Sequence, residues 1–364
     1  MDGATLELRS PDGVYREIEG WLRERGFFAP GGEDLVADLY LGYGLSATIR
    51  RTIAPSPPEP CPTLPLAACS VRPDAYSVAQ HVNESRALGS WEATWTASEY
   101  AVAIERVRAA IERGDVYQVN LVQHLSASCP GDPAAVGSSL AAALATLRPL
   151  QGPFLGRHWA VVSASPELFL SRRGRRIWTK PIKGTRPAGR GAELRASEKD
   201  AAEHVMIVDL ERNDLSRVCE AGTVRWPELM ATQTLAGVEH MVSTVEGTLR
   251  EDVGLAEILE ATFPGGSVTG APKIAAVDLI AELEPVGRGA SMGALGCVRG
   301  NGDFDLALTI RTFALAEGRI HLWVGGGIVW DSDPAAEVEE SWTKARPLLE
   351  AIESPARPVA EVRR

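Results

Sequence analysis

Two pairs of acidic residues are spaced to act together. Asp200 and Glu203 stand three apart, and Glu337 and Glu340 repeat the spacing. On a helix that spacing puts both carboxylates of a pair on one face. Four converging carboxylates repel one another unless a cation neutralises them, and a ligand set made only of oxygens suits Mg2+. Ordinary solvated helix faces carry the same spacing, so the pattern alone leaves both readings open.

Lysine is scarce. Of 37 basic residues only Lys180, Lys183, Lys199, Lys273 and Lys344 are lysine, and the rest are arginine. A chain that uses arginine for generic positive charge keeps lysine where a deprotonable amine has a use. Lys183 lies in TKPIKGTRP (179–187), where proline fixes the approach and Gly184 and Thr185 offer close backbone and a hydroxyl. An amine partly desolvated near cations is a nucleophile of lowered pKa. A surface lysine in a turn is the plain alternative.

Gly325-Gly326-Gly327 follows a strand-like run, and GGSVTGAPK (265–273), which contains Ser267, precedes a helix-like one. Both can present backbone N–H groups to an anion, the second at a helix N-terminus, although tight turns also use glycine. Arg311 sits inside the apolar run LTIRTF (308–313), where an arginine meets a carboxylate or phosphate or else a structural acid. His240 can orient or donate a hydrogen bond.

The elements around these residues alternate in kind. Ser98 can cap a helix whose apolar positions Tyr100, Ile104, Val107 and Ile111 recur at helical spacing up to Gly114. The run from Gln118 is strand-like, and strands at Trp159–Ser163 and Leu168–Ser171 bracket Ser165-Pro166-Glu167. Residues 197–212 read as helix. Leu306–Phe313 and Ile320–Val324 read as a hairpin around Glu317-Gly318, and Asp333-Pro334 opens a last helix. Residues 1–75 form a short N-terminal segment with a proline-rich connector from 54, residues 76–352 hold every chemical signature, and 353–364 are a tail. The expected class is α+β, rich in antiparallel sheet, with helices outside.

Composition narrows the setting. Hydrophobic residues make up 45% and charged residues 23%, and the net charge of -11 offers no basic footprint for nucleic acid. The five cysteines are scattered without a CxxC pair, which fits reduced thiols and no zinc site. No apolar run reaches the ~18 residues a membrane span needs. Met1-Asp2-Gly3-Ala4 lacks a signal-peptide layout. A cytoplasmic protein is the expectation.

Taken in order, GDVYQVNL (114–121), SPELFL (165–170), KPIKGTRP (180–187) and EKDAAEHVMIVDLERNDLSRV (198–218) resemble the chorismate-utilising enzymes. VEHMVSTVEG (238–247), FPGGSVTGAPK (263–273), LTIRT (308–312) and GGGIVWDSDPAAEVEES (325–341) extend the resemblance over roughly residues 76–352. That family includes the first components of anthranilate and aminodeoxychorismate synthases, and the isochorismate and salicylate synthases. The resemblance implies a fold of large antiparallel sheets packed core to core. It implies Mg2+ on Glu203 and Glu340, supported by Asp200 and Glu337 and holding the ring carboxylate of chorismate. Arg311 and Gly325–Gly327 are then the clamp for the enolpyruvyl carboxylate, with Gly184, Thr185 and Ser267 lining the site. Glu167 matches the general acid for the departing hydroxyl, and His240 the histidine near the ring.

Within the family, Lys183 matches the aminodeoxychorismate type, where it is implied to attack C2 of chorismate before ammonia adds at C4. Anthranilate synthases carry a small residue there. Gln118 stands where isochorismate and salicylate synthases carry a lysine that activates water, so the resemblance implies ammonia as nucleophile. A separate glutaminase (glutamine amidotransferase) subunit is the implied ammonia source. The product is 4-amino-4-deoxychorismate, on the way to 4-aminobenzoate. An anthranilate-type or specialised-metabolism enzyme is the alternative, and a silent chorismate-binding homologue a further one. Ser291 stands where the RGxYxG stretch of the family has a substrate-contacting tyrosine. The N-terminal region is shorter than the family pattern and lacks a recognisable tryptophan-binding motif, so feedback by tryptophan is not expected.

Overall fold

A computed structural model describes residues 4–73, 88–187, 189–235 and 238–353. Two antiparallel sheets dominate it. The ten-stranded sheet runs Thr5–Leu8, Ala67–Pro73, Leu35–Leu41, Ala294–Arg299, Phe304–Leu308, Leu168–Arg173, Arg176–Lys180, Val238–Thr248 and Ile182–Pro187, with Arg225–Leu235 also on Val238–Thr248. The seven-stranded sheet runs Gly270–Ala271, Gln118–Ser128, Arg319–Ile328, Thr312–Ala316, Trp159–Ser163 and Phe154–Leu155, with Glu92–Ala93 added on Gln118–Ser128.

The strand period of two decides which core each side chain joins. Leu39, Leu295 and Phe304 from the larger sheet meet Val119, Leu121, Val161 and Trp323 from the smaller one in a single inter-sheet core. Ile320, Leu322 and Val324, on the opposite pleat from Trp323, join a second core under the helices Pro133–Leu144 and Pro334–Glu353. Sheets packed core to core with helices outside are therefore what the chain forms.

Several local expectations shift. The helix Ala97–Glu112 is capped by Thr96, whose hydroxyl accepts from the Glu99 N–H while Glu99 reaches back to the Thr96 N–H. That reciprocal box outcompetes Ser98, which lies in the first turn. The end of the proline-rich stretch, Ala67–Pro73, is a strand paired on both sides, because its buried Ala67, Ala68 and Cys69 fit between neighbours. Its partner Leu35–Leu41 pairs with Ala294–Arg299, so the N-terminal strands continue the sheet of the later region. The hairpin at Glu317-Gly318 is present, with both residues at positive φ as a two-residue turn requires.

The run Leu306–Phe313 is not one strand. Phe304–Leu308 belongs to the larger sheet and Thr312–Ala316 to the smaller, so the chain changes sheets across Thr309-Ile310-Arg311. It makes the reverse change between Trp159–Ser163 and Leu168–Arg173, across Ala164–Glu167. The two crossovers are tied together: the Ala164 N–H donates to the Arg311 carbonyl at 2.9 Å, and the Leu308 N–H to that of Glu167 at 3.0 Å.

Between the sheets lies a buried polar inclusion. His124 and His321 are joined at 3.0 Å and stacked beside Trp323, and Thr94 holds the other His124 nitrogen at 2.7 Å. Burial pushes His124 down to about 3 and His321 to about 4, from an ordinary 6.5. A histidine depressed in the folded state favours folding above its unfolded pKa, and that contribution fades as pH falls from 6.5 toward 4. At about 1.4 kcal/mol per unit the pair contributes on the order of several kcal/mol. Thermal melts between pH 7 and pH 4.5 should show a falling Tm, and His124→Gln/His321→Gln should flatten the slope between pH 6.5 and 5. An equal slope in the double variant would assign the acid sensitivity elsewhere. All five cysteines are free, and among the described residues no helix is long and apolar enough to cross a membrane.

Candidate functional site

The paired crossovers set Glu167 and Arg311 beside each other. Arg311 has φ 51, a left-handed backbone that a mid-strand residue would not adopt, and it lies between strands rather than within one. Glu167 is buried, and accepts from the Ser267 hydroxyl at 2.8 Å and from the Ile182 backbone. Burial pushes its carboxyl up, while Ser267, Lys183 and Arg311 draw it back down. A buried acid whose proton is contested by two cations is suited to giving that proton up during a reaction.

Lys183 enters from the neighbouring strand. Ile182–Pro187 pairs with Val238–Thr248, and the register slips between Lys183 and Thr185, where Gly184 takes φ +67. A bulge of this kind re-aims side chains. Gly184 is tight as well as left-handed: a Cβ there would meet Leu194 at 2.7 Å and Asp200 at 3.3 Å. His240 lies across from Thr185, buried and hydrogen-bonded to the Gly184 backbone, and burial with Arg311 nearby lowers its pKa. The Thr185 side chain lies outside the described residues.

The smaller sheet supplies the opposite wall. Gly325–Gly327 do not follow a strand but lie inside Arg319–Ile328, and different neighbours demand each glycine. A Cβ on Gly325 would stand 1.9 Å from the Leu121 carbonyl oxygen, and one on Gly327 2.3 Å from Gln118 Nε2. One on Gly326 would lie 3.2 Å from Lys344 Nζ, 3.4 Å from Glu337 Oε2 and 3.5 Å from Glu340 Oε1. Thr312–Ala316 pairs with this strand only as far as Leu322, so beyond it the described strands cover one edge alone. Gln118 is wholly buried over Gly327, and among the described residues neither its Oε1 nor its Nε2 has a partner. The neighbouring Asn120 Oδ1 is likewise without a partner among the described residues. Burying a carboxamide unsatisfied costs roughly 1–3 kcal/mol, so both groups are groups that a ligand would satisfy.

The acidic pairs flank these walls. Asp200 and Glu203 lie on the helix Glu198–Ser216, and Asp200 accepts from Arg186 at 3.0 Å. Glu337 is buried and accepts from Ser332 at 2.7 Å, whereas Glu340 is exposed and pairs with Lys344 at 2.7 Å. Lys344 also donates to the Gly325 carbonyl at 2.8 Å. Among the described residues no three acidic, histidine or cysteine side chains converge to metal-binding distance. Protein cations sit on Asp200 and Glu340. Their chemistry still fits a hard divalent ion, since every donor is a carboxylate.

Lys344 is a site residue that the spacing of the acids passed over, although it stands four after Glu340 and is one of the few lysines. Lys273 is taken up differently, bound to Asp214 and to the carbonyls of Thr262 and Pro264, which closes the loop carrying Ser267. Ser291 is buried and donates to the Thr309 carbonyl at 3.3 Å. Arg288, three residues before it, is fully buried and held by Glu284 and by the carbonyls of Val268 and Asn120.

Known proteins share this fold and sequence pattern. The family described as chorismate binding enzyme matches residues 67–350. Anthranilate synthase component 1 of Streptomyces coelicolor is 40% identical over 85% of this chain and 59% of its own length. Aminodeoxychorismate synthase component 1 of Klebsiella aerogenes is 41% identical over 73% of this chain and 60% of its own. The chain thus spans about three fifths of the length of these relatives. The crystal structure of anthranilate synthase component I from Streptococcus pneumoniae superposes with TM-score 0.80 at 25% identity, covering 96% of this chain and 90% of that one.

Proposed function

Because this chain belongs to the chorismate-binding enzyme family, we propose that it aminates chorismate at C4 as the first component of an aminodeoxychorismate synthase. The observation that carries this reading is the Lys183 charge acting on Glu167; the buried Gln118 carboxamide, without a partner among the described residues, supports ammonia as the nucleophile. Lys183 Nζ forms a bond to C2 as the ring double bonds shift and the C4–O bond breaks. Glu167 supplies the proton with which the hydroxyl leaves as water. Ammonia then bonds to C4, the double bonds shift back, the C2–Nζ bond breaks, and the surplus proton returns to Glu167. Splitting one displacement into two steps lowers each barrier. Arg311 and the Gly325–Gly327 edge hold the enolpyruvyl carboxylate, and His240, Gly184, Thr185 and Ser267 shape the pocket.

Glu203 and Glu340, with Asp200 and Glu337, would hold Mg2+ once it displaces the Arg186 and Lys344 contacts. Bound there, the ion supplies a fixed positive charge for the ring carboxylate. Ammonia comes from a separate glutaminase subunit.

Incubation with chorismate, Mg2+ and ammonium should give 4-amino-4-deoxychorismate by liquid chromatography and mass spectrometry, without pyruvate. Glutamine as sole nitrogen source should give nothing in the absence of a partner. Anthranilate with equimolar pyruvate would instead establish the anthranilate-type reading, which the Streptomyces coelicolor relative favours. Turnover of glutamine by the chain alone would refute the need for a glutaminase.

A further inference from the structure

The strand Gln118–Ser128 carries a second carboxamide to which the reaction above gives no task. Gln118 and Asn120 stand two apart, so their side chains leave one face of the strand. Asn120 lies directly across from Gly327 in the register of the two strands. Gln118 Nε2 lies 2.3 Å from the position that a Cβ on Gly327 would take. The missing side chain of Gly327 thus leaves a gap that both carboxamides border. Gln118 is wholly buried and Asn120 is 8% exposed, and among the described residues neither Gln118 Oε1 nor Asn120 Oδ1 accepts a hydrogen bond.

The backbone that carries these oxygens is fixed. The Asn120 N–H donates to the Thr269 carbonyl at 2.7 Å, and the Asn120 carbonyl accepts from Arg288 at 2.7 Å. Glu284, which holds Arg288, also accepts from the Val122 N–H at 3.0 Å, so positions 120 and 122 share one buried ion pair. Thr269 comes two residues after Ser267, the donor to Glu167. One loop therefore braces this strand at Thr269 and the buried acid at Ser267. Both backbone polar groups of Asn120 are used, and its side chain is left for a ligand.

Two bare oxygens select by chemistry. A carboxylate brings only acceptors and would be repelled, so neither carboxylate of the substrate belongs here. A small ligand with several N–H donors satisfies both oxygens at once. We propose that Asn120 Oδ1 and Gln118 Oε1 form the seat of the ammonia nucleophile, each accepting one N–H, with Gln118 turning out of the Gly327 gap to admit it. Two N–H bonds held in this way fix the direction of the nitrogen lone pair, which stays free for carbon. The proposal rests on the reading of ammonia as nucleophile and adds Asn120 to it as a second recognising group.

Asn120→Leu keeps the volume and removes the acceptor. The KM for ammonium should rise about tenfold, the scale of one lost hydrogen bond. The KM for chorismate and kcat at saturating ammonium should change far less. A merely structural role would raise both KM values together or lower kcat, and an idle side chain would leave the ammonium KM unchanged; either result overturns the seat. The ammonium KM is read from whichever aminated product forms, so anthranilate would refute amination at C4 and leave the seat standing. Titration of the resting protein needs no turnover. With chorismate absent, the side-chain amide signals of Gln118 and Asn120 in 15N-correlated NMR spectra should shift with ammonium chloride and not with equal sodium chloride. Loss of the signals in Gln118→Met and Asn120→Leu identifies them. An equal response to both salts, or none, would overturn the seat even where chorismate is aminated as proposed.

Discussion

Lys183→Arg is expected to lose amination by on the order of 10³-fold while keeping its fold and its affinity for chorismate. Attack on a ring carbon requires an unprotonated amine, and a guanidinium keeps its charge but cannot offer one. A lysine that merely neutralised a carboxylate would tolerate arginine far better. Lys183 stays paired with Met241 just before the register slips at Gly184, and its charge is felt by both Glu167 and the buried His204. His204 is itself held by Ser243 at 2.6 Å and lowered to about 4, so it stays neutral and adds no competing charge. Wild type quenched with chorismate and Mg2+ but no ammonia should carry a covalent adduct on Lys183, visible by peptide mass spectrometry. Normal amination by Lys183→Arg with no adduct in wild type would return the chain to direct displacement by ammonia.

The parts of this molecule that were legible in sequence are those written in local pattern. The mixture of strand-like and helix-like runs pointed to the class, Glu317-Gly318 to the hairpin, and the i, i+3 acids to the two helical faces. What local pattern could not encode is a change of sheet. Leu306–Phe313 reads as one β-rich run, because buried apolar side chains stand at both of its ends, Leu306 and Leu308 in one core and Phe313 in the other. The break at Arg311 is decided by its hydrogen-bonded partner crossover at Ala164–Glu167, about 145 residues away in sequence. Glu167 and Arg311 meet only because of that pairing. The same holds for Gly325–Gly327, which composition presents as a flexible anion loop. They are glycines because Leu121, Gln118 and the Glu337–Glu340–Lys344 group fill the space of a side chain. The domain expectation had no way to register that Leu35–Leu41 extends the sheet of Ala294–Arg299, since strand partners so far apart leave no trace in either segment.

Glu203→Gln and Glu340→Gln are each expected to lower Mg2+-dependent turnover by at least about 100-fold, the scale on which metal sites respond to loss of a supporting contact. The fold should survive in both. Glu340 is exposed, and its helix is held by Ala345, Leu348 and Ile352 in the outer core, while Glu203 is only half-buried on Glu198–Ser216. Removing one carboxylate lowers the charge that attracts a divalent ion, and in Glu340→Gln it also releases Lys344, whose remaining bond is to the Gly325 carbonyl. The two pairs lie on separate helices, and Asp200 and Glu340 each hold a protein cation that an ion would have to displace. Calorimetric titration with Mn2+ should therefore find one site in wild type and strongly weakened binding in both variants, whether or not chorismate is present. Chelation should abolish wild-type turnover, with Mg2+ restoring it. Full Mg2+-dependent activity in either variant, or equal Mn2+ affinity in all three proteins, would mean that the two pairs serve separate ends and that Glu340 belongs to Lys344 rather than to an ion.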